Sequence, residues 1–176
     1  MNKNMSIKEL AGIVGQAFEN NGIDAVLVGG SCVTIYTENK YQSYDLDYIT
    51  YETEKNASKV LKKLGFKYDS HKYYIHSECP FFIEFLAPPI AIGNEPIKKL
   101  KTLKIKTGMI KLLTPTDCVK DRLAAYFYWN DRQCLDQAVM VSESQDINLE
   151  NIKNWAKNEN QLEKLGHFLM RIKKNS

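Results

Sequence analysis

The stretch AVLVGGSCVTIYTENKYQSYDLDYIT, residues 25–50, decides how the chain is read. An apolar, strand-like run from Ala25 to Val28 meets Gly29-Gly30-Ser31 and passes into a short helix-like piece over 31–38. A second strand-like run over 44–50 then carries Asp45 and Asp47 among Tyr44, Leu46, Tyr48 and Ile49. Side chains alternate across a strand, so both aspartates project from one face and Tyr44, Leu46 and Tyr48 from the other. Two carboxylates on one face repel each other and are costly to bury without a cation. Hard divalent ions such as Mg²⁺ take oxygen ligands, commonly one or two protein carboxylates together with substrate phosphates. Two such ions, about 3.5–4 Å apart, would neutralise the pair and clamp both oxygens of a phosphoryl displacement. A solvated strand edge that carries an Asp-x-Asp by accident is the bland alternative.

Outward from that stretch, the bulk properties set limits. A chain of 176 residues can fold as one domain or as a core with a small appended subdomain. A hydrophobic share of 44% beside 26% charged residues is that of a globular protein in water, and a net charge of +3 does not select a partner. No apolar run reaches the length of a membrane span, and MNKNMSIKEL has no signal-type stretch, so a cytoplasmic location without membrane contact is expected. Cys32, Cys79, Cys118 and Cys134 have no C-x-x-C spacing and read as reduced, mostly buried thiols.

The remaining pattern is mixed. Ser6 and Glu9 form a capping box ahead of Ile7, Leu10, Ala11, Val14, Ala17 and Phe18 at helical spacing, and Gly22 closes that helix. DAVLVGG reads as a strand covered on both faces. Residues 54–64 form a helix with Ala57, Val60, Leu61 and Leu64 on one face and Gly65 at its end. Aromatic-rich strands cover 66–76 and 81–86, broken by a polar turn at Asp69-Ser70, and LKIKTGMIKLL reads as a hairpin turning at Thr107-Gly108. Beyond Thr114-Pro115-x-Asp117 the pattern is helical, with Asn130 and Asn148 as further caps and Leu162, Leu165, Leu169 and Ile172 striping the last helix. The fold class is therefore α/β (α+β): a core over 1–113, then a helical subdomain over 114–176.

Three neighbours strengthen the reading of the aspartates. Glycines at Gly29-Gly30-Ser31 let backbone N–H groups approach an anion at a helix start, although an ordinary strand-to-helix turn looks the same. Glu84, in PFFIEFLAPP, stands opposite Phe81, Ile83 and Phe85 in an apolar strand and needs a metal, an acceptor hydroxyl or a salt-bridge partner. The third neighbour is the order itself: turn, helix, paired carboxylates, later carboxylate. Weaker signals are a zinc reading of His71, His76 and Cys79, which lacks a fourth ligand. Lys98, Lys99, Lys101, Lys104, Lys106 and Lys111 run without an acid between Glu95 and Asp117, and suit either a nucleic-acid backbone or a protected sheet edge. The aromatics Tyr126, Phe127, Tyr128 and Trp129 are expected to pack the two halves together.

That order resembles the nucleotidyltransferase fold of the DNA polymerase beta superfamily, a mixed sheet flanked by helices. More narrowly, VGG followed by SYDLD is similar to the AbiEii-type nucleotidyltransferase-like proteins, whose motif reads Ser-x-Asp-hydrophobic-Asp. The resemblance implies that Gly29, Gly30 and Ser31 form the turn holding the nucleotide's phosphates, that Asp45 and Asp47 ligate Mg²⁺ (or Mn²⁺), and that Glu84 completes the metal site or deprotonates the acceptor. TPTDCVKDRLAAYFYWNDRQCLDQAV is similar to a helical segment of these proteins. It implies nucleotide contacts from Arg122, in the family's lysine position, and Arg132, whose spacing to Asp136 differs from the family's; Arg132 and Asp136 also read as a surface ion pair, and Arg122 as a solvated side chain. The implied activity is transfer of a nucleoside monophosphate from an NTP such as ATP to a hydroxyl of RNA (a tRNA end), protein or a small molecule. The competing reading is a non-catalytic nucleotide- or partner-binding relative, with an antitoxin-like protein as partner.

Overall fold

The computed structural model describes residues 1–69 and 72–174. The elements run α1 (Ile7–Asn20), β1 (Ala25–Val28), α2 (Gly29–Tyr36), β2 (Asp45–Thr50), α3 (Glu54–Lys63), β3 (Lys67–Tyr68), β4 (Tyr74–Ile75), β5 (Phe82–Leu86), β6 (Ala91–Ile92), β7 (Glu95–Pro96), β8 (Leu100–Ile105) and β9 (Gly108–Leu113). Four helices follow: α4 (Pro115–Trp129), α5 (Arg132–Ser144), α6 (Leu149–Asn158) and α7 (Leu162–Lys174). The class is mixed α/β, as expected. Seven strands form one sheet in the order β3-β4-β5-β2-β1-β9-β8, with β6 and β7 as a separate hairpin.

The unbroken apolar run of β1 puts it near the middle, buried at all four residues. It pairs antiparallel with β2, Val28 opposite Asp47, and parallel with β9, while β2 runs parallel to β5. These directions bring the C-terminal end of β1 and the N-terminal ends of β2 and β5 to one end of the sheet. The strand ends at Val28, so Gly29 and Gly30 open α2 instead of closing β1.

Alternation along β2 holds. Leu46 and Tyr48 are buried, and the Tyr48 ring meets Phe18 of α1 edge-on at 5.4 Å. The capping box forms in full: the Ser6 hydroxyl accepts from the Glu9 amide at 3.2 Å and the Glu9 carboxylate accepts from the Ser6 amide at 2.8 Å. Gly15 lets α1 lie directly on β9, since a Cβ there would stand 2.1 Å from the Met109 carbonyl oxygen. β8 is the sheet edge, with Lys104 exposed, Lys101 placed 5.4 Å from the centre of the Tyr36 ring, and Lys111 of β9 paired with Asp24 at 2.6 Å.

The helical half follows its caps, with changes. Thr114 accepts from the Asp117 amide at 3.1 Å and Asn148 from the Asn151 amide at 2.9 Å. Asn130 instead ends α4 in the left-handed conformation, and Asp131 caps α5. Phe127 stacks on Trp155 at 5.4 Å and the Tyr126 hydroxyl lies 2.6 Å from His167 Nδ1, so these rings pack helix on helix. Tyr128 and Trp129 do not pack the halves together; they are 46% and 77% exposed where α4 runs out. Leu165 and Phe168 bury the face of α7, whereas Leu162, at its first residue, is exposed. The four cysteines are free thiols. The His76 ring packs edge-on against Phe66, with Nδ1 accepting from the Glu78 amide at 3.0 Å. His71, like Ser70 of the polar turn, lies outside the described residues. Among the described residues no helix is long and apolar enough to cross a membrane.

One buried acid fixes the β6–β7 hairpin to the helices. The carboxylate of Glu159, 7% exposed, accepts from the Asn94 amide at 2.8 Å, from the Asn94 carboxamide at 3.1 Å and from the Tyr128 hydroxyl. Glu159→Ala strands these donors and is expected to cost about 1.5–3 kcal/mol in urea unfolding, the range for hydrogen bonds to a charged group.

Candidate functional site

Both turn and carboxylates arise from the crossing of β1, α2 and β2. Val28 is extended, with φ −131°, and Gly29 follows at φ +70°, a conformation that side chains rarely adopt. A Cβ at Gly29 would lie 2.3 Å from Oδ2 of Asp47, so the missing side chain is space that the carboxylate takes. The constrained glycine is thus Gly29. Gly30 has ordinary φ, and its Cβ would meet Ser43 Oγ at 3.0 Å and the Tyr41 ring at 3.5 Å. No side chain caps the start of α2. Ser31 is fully buried, and its hydroxyl donates to the Val28 carbonyl at 3.1 Å.

The sheet register brings the third acid in. Asp47 stands directly opposite Glu84, and Asp45 opposite Phe82. Neighbouring strands lie about 4.8 Å apart, so Asp45, Asp47 and Glu84 share one face at one end of the sheet. Burial, then Asp45, then Glu84 push the Asp47 carboxyl up to about 7, with Arg122 pulling the other way. Three carboxylates with one opposing cation is a set with negative charge in excess.

The oxygen chemistry of this set fits a hard divalent cation, and the cradle at Gly29 leaves room for an Asp47 oxygen. As the side chains stand, no three His, Cys, Asp or Glu converge to hold an ion among the described residues. Oδ1 of Asp45 accepts from the hydroxyl of Ser43, in the chain just before β2.

Arg122 comes to the same region, but it is held. Its Nη2 and Nε bind Asp121 Oδ2 at 2.6 and 3.0 Å, and Nη1 lies 3.4 Å from Gln137 Oε1 and 3.8 Å from Cys134 Sγ. Burial is the largest single influence and works against its charge, but Asp121, Cys134 and Cys118 together more than offset it and leave the guanidinium firmly protonated. Arg132 is exposed on the first turn of α5. The alternative surface pair of Arg132 with Asp136 does not form; Asp136 pairs with Arg171 of α7, which packs alongside α5.

Sequence reasoning missed three contributors. Ser43 orients Asp45, and its own amide is held by Thr34 Oγ1 at 2.9 Å. Its signal was the serine of the Ser-x-Asp-hydrophobic-Asp pattern. Tyr41 lies over Gly30, its phenol shifted upward by burial and then by Asp45. Asp121, which fixes Arg122, had no signal beyond being its neighbour.

No protein-family model matches the sequence, and no curated protein matches it. Among solved structures, the chain is similar to an antigenic nucleotidyltransferase-like protein from Paracoccidioides brasiliensis, with a TM-score of 0.62 and 13% identity over 80% of this chain and 77% of that one. The antibiotic-resistance factor ANT(2'')-Ia in solution gives 0.54 at 11% identity, over 94% of this chain and 97% of that one. The crystal structure of ANT(2'')-Ia in complex with adenylyl-2''-tobramycin gives 0.50 at 10%, over the same shares. At these identities the likeness is one of fold, and the fold of this chain is nucleotidyltransferase-like.

Proposed function

We propose that the chain is a Mg²⁺-dependent nucleotidyltransferase of the AbiEii type, transferring a nucleoside monophosphate from an NTP to a hydroxyl acceptor. The observation that carries the reading is the register that sets Asp47 against Glu84 beside Asp45, with Asp47 already resisting ionisation. Asp45, Asp47 and Glu84 would hold the ions, for which Asp45 turns away from Ser43. Bound there, Mg²⁺ would supply charge neutralisation for the triphosphate and for the leaving pyrophosphate. The backbone of the Gly29-Gly30-Ser31 turn faces the phosphates, with Ser31 locking the turn through Val28. Glu84 accepts the acceptor hydroxyl's proton as that oxygen bonds to the α-phosphorus. Arg122, pinned by Asp121, offers fixed positive charge to the nucleotide, and Arg132 a mobile one.

A second reading has its own support. The unconverged acids and the inward-turned Ser31 hydroxyl also suit a relative that binds a nucleotide or a protein partner without chemistry. Incubation with each labelled NTP, Mg²⁺ and total RNA or protein separates the two, because only an enzyme labels a pool.

The carboxylates give a paired readout. Asp47 holds its proton more tightly folded than unfolded, so its ionisation costs stability as pH rises from about 3.8 through about 7. Asp47→Asn is expected to melt several degrees above wild type at about pH 8 without metal, with the gain vanishing below about pH 4. The same variant should lose Mg²⁺-dependent NTP binding in calorimetry; unchanged affinity would place the metal elsewhere.

Glu84→Gln keeps shape without basicity. Transfer is expected to fall at least about 100-fold, the usual share of a general base, with folding and most NTP affinity retained. A lower melting temperature with normal transfer would make Glu84 structural.

At the turn, Gly29→Ala meets both a left-handed backbone and the Asp47 carboxylate. It is expected to abolish NTP binding and to lower the melting temperature, whereas Ser31→Ala costs about 1 kcal/mol of stability through its local hydrogen bond. A Gly29→Ala protein with wild-type melting and affinity would remove the turn from the site.

A further inference from the structure

β8 closes the sheet on the side away from β5, and its outer flank carries no strand. It pairs with β9 from Leu100 opposite Leu113 to Ile105 opposite Gly108, with no bulge. The two-residue turn Lys106-Thr107 makes Ile105 and Gly108 a hydrogen-bonded pair, and such pairs alternate along an antiparallel ladder. Lys101, Leu103 and Ile105 therefore bond to β9, whereas Leu100, Thr102 and Lys104 turn their N–H and C=O groups outward. Among the described residues no backbone hydrogen bond outside the sheet involves Leu100–Ile105. Sheet edges are commonly blunted by shortness, a proline or a bulge. β8 has six residues, as long as β2 and β9, and uses none of these devices. Its outward groups are the ones an added strand pairs with.

Charge selects the strand. Side chains alternate, so Lys101 and Lys104 stand on opposite faces of the sheet, with Lys106 at the turn and Lys98 and Lys99 before the strand. Lys101 rests over the Tyr36 ring, and none of Lys98, Lys99, Lys101 and Lys104 pairs with a carboxylate among the described residues. At the Leu100 end the edge leads to a cavity of about 540 Å³ lined by Lys98 and Lys99. The acids of that cavity, Glu95 and Asp117, already face Lys120 at 2.7 and 3.7 Å. A second copy of β8 would set these lysines against themselves, and like charges opposed across strands destabilise a sheet. A polynucleotide lying on one face would meet only one of Lys101 and Lys104 and leave the outward groups unpaired. An added strand sends alternate side chains to both faces and pairs those groups. We propose that β8 docks an acidic, extended segment of a partner protein as a further strand, with carboxylates above and below the sheet on Lys101 and Lys104. The proposal stands apart from the transferase reading, since β1 and β9 separate this edge from β2 and β5.

The test is titration of the full chain with a fluorescent peptide of alternating Glu and Val, read by anisotropy and by amide hydrogen exchange. The peptide is expected to bind, to weaken as salt rises, and to slow exchange at the Thr102 and Lys104 amides. A Glu-Pro peptide of equal charge, which cannot donate along the edge, should bind far more weakly. Lys104→Glu combined with Lys106→Glu, both exposed positions, should weaken the Glu-Val peptide at least about tenfold. Thr102→Pro removes an outward N–H and keeps every lysine, at an edge position where proline is tolerated, and should weaken it to a similar degree. Circular dichroism checks the fold of both variants; if Thr102→Pro unfolds, exchange at Thr102 and Lys104 in wild type decides the same point. The proposal is overturned if the Glu-Val peptide does not bind, which leaves the lysines as edge protection only. It is also overturned if the Glu-Pro peptide binds equally well, if the Thr102 and Lys104 amides gain no protection, or if affinity ignores the lysine substitutions. Oligouridylate that binds more tightly than the peptide and displaces it would make the edge a nucleic-acid track instead.

Discussion

The register between β2 and β5 puts a carboxylate opposite a carboxylate, and much of the local structure follows from that choice. Like charges directly opposed across strands destabilise a sheet. Here the opposition lies at a sheet end beside buried groups, so burial adds to the repulsion and Asp47 is driven toward its neutral form. A chain selected for stability alone would place a hydroxyl or an apolar residue at one of these positions. The surroundings spread the cost: Asp45 leans on Ser43, and Arg122 offers one positive charge from the helical half.

The same register explains why the glycine falls where it does. Because β2 is antiparallel to β1, Asp47 lies opposite Val28, the last residue of β1. The chain must leave the sheet at the next position without covering that carboxylate. A residue with φ +70° and no side chain meets both demands, and Gly29 is that residue. Gly30 has a milder task, clearing Ser43 and Tyr41, and Ser31 spends its hydroxyl on the Val28 carbonyl. The turn is therefore stabilised from inside, by its own side chain.

How much of this was legible depends on whether the information was local. Capping at Ser6, Thr114 and Asn148, the buried run of β1 and the same-face aspartates are set by residues within a few positions of one another, and they read directly. The acid of Glu84 was visible as an anomaly in an apolar strand, but its pairing with Asp47 needed the strand order. Asp136 shows the converse. Its nearest cation along α5 was Arg132, yet it pairs with Arg171, 35 residues on, because helix packing overrides spacing. Trp129 failed for a similar reason: its aromatic content matched Phe127, but the helix ends there and turns it outward. The choice between Gly29 and Gly30 depended on a dihedral that no composition encodes.

The fold likeness and the site's electrostatics constrain each other. Likeness at 10–13% identity carries topology and no residue roles, so the reading of this site rests on its own groups. Those groups are unbalanced: three acids at the sheet end face one guanidinium that is already shared with Asp121. Among the described residues of the helical half, Lys120 is spent on Glu95 at 2.7 Å and Lys164 on the carbonyls that end α4. A cation from outside is what would let Asp47 ionise at neutral pH, and a triphosphate carries such cations with it. On the proposed transferase reading, metal and nucleotide would therefore enter together. Arriving alone, the nucleotide would add negative charge to a site that already holds too much of it.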